Sequence, residues 1–204
     1  MTWALLAVPS SALADAYDEI LSAVKRGDVS QIQSLLSKGV DADTTDRAGT
    51  SLLMTAASEG RVESLKVLIG ARAKIDARNQ YGETALMLAA IQGHRGAVDL
   101  LLSSGANVNT SGWTPLMFAA VKGHSDIARA LVVKGAKVNA SSENGTTALM
   151  LAAKEGNLDT VLVLLEHGAA VNLRNLAGVT ALGLALEGGK KNVASALLRA
   201  GAEQ

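Results

Sequence analysis

His124-Ser125-Asp126 sets the three residue types of a hydrolytic triad side by side. A triad needs its base to reach the nucleophile while the acid holds the base from the far side, which neighbours in a tight turn cannot do. His94 and His167 have no Asp, Glu or His partners at metal-ligand spacing. Met54, Met87, Met117 and Met150 recur at intervals of 33, 30 and 33 residues, and thioethers favour soft ions such as Cu(I). Units repeating at that interval stack about 10 Å apart, so no two of these sulfurs can share an ion. Cysteine is absent, which removes thiolate metal sites and disulfides. No glycine-rich phosphate loop follows a strand. The residues therefore predict no catalytic site, no metal and no cofactor.

The methionines belong to a larger pattern. Leu53-Met54-Thr55-Ala56-Ala57 returns as Leu86-Met87-Leu88-Ala89-Ala90, Leu116-Met117-Phe118-Ala119-Ala120 and Leu149-Met150-Leu151-Ala152-Ala153, with a degraded copy at Leu182–Leu186. The glycines ahead of these runs, Gly49, Gly82, Gly112, Gly145 and Gly178, lie 33, 30, 33 and 33 residues apart. Such a period marks stacked supersecondary units that cannot bury their apolar faces alone.

Each unit has legible start and stop signals. In the third, Gly82 permits the positive φ of a tight turn, and Thr84 stands where a hydroxyl caps a helix. The Thr114-Pro115 pair of the fourth unit is a still stronger start signal. Leu86, Ala89 and Ala90 form a short helical stripe, and Gly93 closes that helix after about two turns. A second helix carries Val98, Leu101 and Leu102 inward and ends at Gly105. Ala106-Asn107-Val108-Asn109 then runs extended into the next unit. The paired alanines let helices approach within about 8–10 Å, and a leucine there would overpack the layer by about 1–3 kcal/mol.

Bulk composition agrees. Apolar residues make up 49% of the 204 but aromatics only 2%, so Ala, Leu, Val and Ile must build the core. Lys plus Arg equals Asp plus Glu, 19 each, and no global field favours nucleic acid or an anionic membrane. Residues 1–14 differ from the rest: the apolar run Trp3–Val8, then Ala12 and Ala14 before Asp15, looks like the end of a secretory signal peptide. No Lys or Arg precedes the run, which is short, so the true start would lie upstream of Met1. Alternatively the segment packs on the first helix pair. The run is too short to span a bilayer.

The string Gly112-Trp113-Thr114-Pro115-Leu116, then Ala119-Ala120, Gly123-His124, Leu131, Gly135-Ala136 and Val138-Asn139, resembles the ankyrin repeat nearly position for position. The resemblance covers about residues 15–204 in six units: 15–44, 45–77, 78–110, 111–140, 141–173 and 174–204. It implies an all-α solenoid of helix-turn-helix repeats with projecting β-hairpin-like fingers, first helices forming a concave wall. It implies a monomeric, non-catalytic scaffold that binds another protein, without nucleic acid and without membrane insertion of the mature domain. The expected location is periplasmic, in a bacterium, or secreted; the alternative is cytoplasmic. A membrane-tethered adaptor and a non-catalytic subunit of an enzyme complex are the alternative functions.

Three departures stand out against the family pattern. Met54, Met87, Met117 and Met150 replace its usual histidine, which links neighbouring repeats; a thioether cannot donate, so apolar packing is expected instead. Arg72 stands where Gly105, Gly135, Gly168 and Gly201 close other units, so it must adopt a left-handed conformation unless the helix ends early at Gly70. The fourth finger is short, with three residues from Asn109 to Gly112 where Asp76 to Gly82 spans six, which predicts a notch in the row.

Mapped residue by residue, the family's partner-facing positions are Gln80, Tyr81, Glu83, Ile91 and Gln92 in the third unit. The fourth supplies Trp113, Val121 and Lys122, and the fifth Asn144, Thr146 and Lys154, with Ser111 and Glu143 beside them. Tyr81, Ile91, Trp113 and Val121 place apolar groups on an otherwise polar surface, the make-up of an interface hot spot. Trp113 could instead only pack within the array.

Overall fold

The computed structural model describes residues 10–203. Among these residues the chain forms twelve helices in six successive pairs. They are α1 (Ser10–Arg26) with α2 (Val29–Ser37), α3 (Leu52–Ser58) with α4 (Val62–Gly70), and α5 (Ala85–Gln92) with α6 (Arg95–Ser103). The pairs α7 (Pro115–Lys122) with α8 (Ser125–Val133), α9 (Ala148–Glu155) with α10 (Leu158–Glu166), and α11 (Ala181–Glu187) with α12 (Lys191–Arg199) complete the array. First helices pack on first helices and second on second, giving two layers and an all-α solenoid. The run Trp3–Val8, expected as the end of an export signal, lies outside the described residues. Helix α1 begins at Ser10 and continues through the expected processing point at Ala14-Asp15.

One continuous core runs through the stack. The paired alanines from Ala56-Ala57 to Ala152-Ala153 are completely buried, which is the close approach that their small size permits. Every first helix after α1 starts as the sequence predicts. Ser51, Thr84, Thr114, Thr147 and Thr180 accept from the N–H three residues on, at 3.1–3.4 Å.

All four methionines of the repeated run are buried, and two of them also accept a hydrogen bond inside their own repeat. Met54 Sδ accepts from the Ser51 N–H at 3.4 Å and Met87 Sδ from the Thr84 N–H at 3.3 Å. A thioether cannot donate, but as an acceptor it closes the reciprocal capping box that a glutamate usually completes. Met117 and Met150 are equally buried without such a bond.

Polar links between repeats are as regular as the core. Asp43, Asp76, Asn109, Asn139 and Asn172 each accept from a backbone N–H of the next repeat, at Lys74, Asn107, Lys137, Ala170 and Glu203. The distances are all 2.7–2.9 Å. The three asparagines also donate onward, to the carbonyls of Gly135, Gly168 and Gly201. A second series runs at the inter-helix turns. His94 Nε2 donates to the Ser58 carbonyl (2.9 Å), His124 Nε2 to that of Ile91 (3.2 Å), and Asn157 Nδ2 to that of Ala120 (2.9 Å). These side chains reach carbonyls in the last turn of the preceding first helix, where the intrahelical ladder runs out.

The turn glycines are therefore constrained twice. Gly93 has φ 78°, and a Cβ on it would lie 2.6 Å from His124 Cε1 of the next repeat. Arg72 has φ 64°, the left-handed conformation that its place in the repeat predicts. Helix α4 ends at Gly70, two residues ahead of Arg72 as α6 ends two ahead of Gly105, and that end does not spare Arg72 the strain. These two sites predict opposite outcomes in urea unfolding. Gly93→Ala loses at least about 1–2 kcal/mol from the backbone alone, with the clash in addition. Arg72→Gly leaves stability unchanged or raises it, because relieved strain offsets the looser unfolded chain. A clear drop in the midpoint for Arg72→Gly would contradict the strain argument.

Candidate protein-binding site

Four fingers are full length, and each is built by one side chain three residues before its glycine. Asp46, Asn79 and Asn175 fold their carboxylate or amide oxygen back onto two following N–H groups, and the Ser142 hydroxyl reaches Asn144 and Thr146. A backbone bond then closes each hairpin, for example Asn79 N–H to the Glu83 carbonyl at 3.1 Å. In the fourth finger Asn109 occupies that place, but its side chain is taken by the link to Lys137 and Gly135. A hydroxyl bond from Thr110 to the Trp113 carbonyl (3.0 Å) is the substitute, and the finger stays low.

The notch is an open cleft of about 750 Å³ between the third and fifth fingers. Tyr81, Glu83, Trp113 and Asn144, all singled out from the sequence, line it together with Ser111 and Glu143. Gln80, Ile91, Gln92, Val121, Lys122, Thr146 and Lys154 are not among its lining residues. Ile91 and Val121 are half-buried at the ends of α5 and α7, where their carbonyls accept from His124 and Asn157. Gln92, Lys122 and Lys154 are exposed on the last turns of the first helices. Thr146 is half-buried behind its finger, and Gln80 is exposed with its N–H bonded to the Ala48 carbonyl of the second finger (2.9 Å).

Sequence reasoning missed Arg78, Met87 and Phe118 as lining residues. Phe118, the single phenylalanine, takes the place of Leu88 and Leu151 in the repeated run. Its ring meets Trp113 at a centroid distance of 5.3 Å and an angle of 52°, a tilted pair of the kind aromatic rings favour. Trp113 thus packs within its own repeat, yet it remains 43% exposed, and Tyr81 is 71% exposed. Three of the chain's five aromatic residues converge on this one cleft. A composition so poor in aromatics makes that clustering the distinctive surface feature.

Among the described residues no group of three His, Asp or Glu side chains is placed to hold a metal ion, and no helix is long and apolar enough to cross a membrane. Burial first, then the carboxylates of Asp46 and Asp18, raises the pKa of Tyr17 on α1. Tyr17 does not line the cleft.

Comparison with known proteins agrees with the repeat geometry. A family model of three consecutive ankyrin repeats matches residues 20–111, 54–142, 106–175 and 135–204. The crystal structure of the human ASB11 ankyrin repeat domain superposes with a TM-score of 0.84 at 25% identity, covering 90% of this chain and 84% of that one. No curated protein matches at a significant level. The matched segments span nearly the whole solenoid, and the chain belongs to the ankyrin repeat family.

Proposed function

We propose that the protein is a non-catalytic scaffold that captures a partner protein at the finger row and first-helix face, with the Tyr81–Trp113 region as its centre. Ankyrin repeats are general protein–protein interaction modules, which supports the class of function. The observation that carries the site is the convergence of Tyr81, Trp113 and Phe118 on one cleft of an otherwise aromatic-poor chain. Aromatic groups with a polar surround (here Glu83, Glu143 and Asn144) are the usual anchors of an interface. The mechanism is rigid presentation. Stacked repeats hold the fingers in place beforehand, so binding costs little ordering entropy.

The test is a double substitution, Tyr81→Ala with Trp113→Ala, titrated against a partner captured from the source cell. Affinity falls by at least about 2 kcal/mol, or roughly 30-fold in Kd, while circular dichroism keeps its helical signal. Unchanged affinity would remove the cleft from the interface.

We also infer export, on the strength of the apolar run and the Ala12-Leu13-Ala14 segment ahead of Asp15. Intact-mass measurement of the protein from its native host then reports a chain beginning at Asp15. A mature chain that retains Trp3–Val8 would contradict processing and favour a tethered adaptor.

A further inference from the structure

Neighbouring fingers are joined by a main-chain bond with a fixed register. The residue before one glycine gives its carbonyl to the residue two before the next. Ala48 accepts from the Gln80 N–H at 2.9 Å, and Asn144 accepts from the Leu176 N–H at 3.0 Å. By that register the third finger offers the Tyr81 carbonyl and the fifth offers the Glu143 N–H. A full-length fourth finger would pair with both. The shortened one pairs with neither, and among the described residues these two groups form no hydrogen bond.

Packing tells the same story independently. A Cβ on Gly49 would touch Asn79 of the next finger at 3.4 Å, and one on Gly145 would touch Asn175 and Leu176 at 3.1 Å. The same atom on Gly82 would meet only Arg78 of its own finger, and on Gly112 it would meet nothing within 4 Å. The slot is therefore open at the position where other fingers are in contact.

We propose that a reverse turn of the partner protein, carrying a lysine or arginine, seats in this slot as the missing finger. This deepens the scaffold reading above and rests on it. The turn supplies an N–H to the Tyr81 carbonyl and a carbonyl to the Glu143 N–H, while its tip lies against Trp113 and Phe118. A volume of about 750 Å³ suits such an occupant, within the range of roughly 300–1,000 Å³ typical of ligand pockets. Charge selects the basic residue. Glu83 and Glu143 line the cleft against one cation, Arg78. Glu83 accepts from Asn79 Nδ2 at 2.8 Å and Arg78 donates to the Gly82 carbonyl at 3.2 Å, both neutral partners, so the lining keeps an excess of one negative charge.

The probe is a library of disulfide-cyclised turns, Cys-Xaa4-Cys, selected on the full chain and titrated by calorimetry. Enriched turns carry Lys or Arg, and a chain with Ala-Ser-Ser inserted between Asn109 and Thr110, restoring the fifth finger's length, binds them at least about tenfold more weakly. Glu143 is the second residue of the turn Ser142–Gly145, where proline is tolerated. Glu143→Pro therefore keeps the turn but removes the donor, and binds roughly tenfold more weakly than Glu143→Ala, the loss of one hydrogen bond. Should the insertion variant fail to fold, that pair alone decides. Failure to select any turn, equal binding by the filled variant, or equal binding by the proline and alanine variants would each overturn the slot. A partner lost on Tyr81→Ala with Trp113→Ala while no turn binds leaves the scaffold reading intact and removes only this one.

Discussion

The structure depends on one recurring bond, from an Asp or Asn at the base of each finger to a backbone N–H of the following repeat. It appears five times, from Asp43–Lys74 to Asn172–Glu203, at 2.7–2.9 Å. A single helix pair with a short apolar stripe cannot bury its core alone, so each unit needs its neighbour for apolar cover. The bond fixes how that cover is laid on. It ties the loop after the second helix of one repeat to the matching loop of the next, while His94, His124 and Asn157 tie the opposite ends of the first helices. Between these two lines of polar links the alanine pairs can meet without gaps.

The same bond explains why the short finger is tolerated. Three residues are missing between Asn109 and Gly112, yet Asn109 still reaches Lys137 and Gly135 as its counterparts reach theirs. The loss is taken up wholly in the projecting loop, where no core residue lies. Asn109 serves the array and so is not free to shape its own finger, as Asn79 and Asn175 do. Stability and surface form are thus separated at a single residue. The stack is preserved, and the row of fingers gains a cleft.

Local features were legible in the sequence because they depend on neighbours in the chain. Threonine caps, turn glycines, the left-handed Arg72 and the low fourth finger all follow from residue type and spacing. The meeting of Tyr81, Trp113 and Asn144 was readable only as a set of surface positions, since their sharing of one cleft requires the pitch of the stack. Phe118 was missed because the repeat pattern assigns its position to a half-buried leucine. Its signal was the substitution itself, the single phenylalanine within a run of leucines. The sulfur bonds of Met54 and Met87 are not legible in residue type, because a thioether is a weak acceptor whose bond depends on where the side chain folds.

Side-chain links between repeats, and not apolar stacking alone, hold the array in register. Urea unfolding of Asn139→Ala tests this most directly, because that side chain bonds both Ala170 and Gly168 of the next repeat. The alanine variant loses about 1–2 kcal/mol, and Asn139→Asp loses less because it keeps the accepting oxygen that Asp43 and Asp76 use. Wild-type stability in the alanine variant would contradict it.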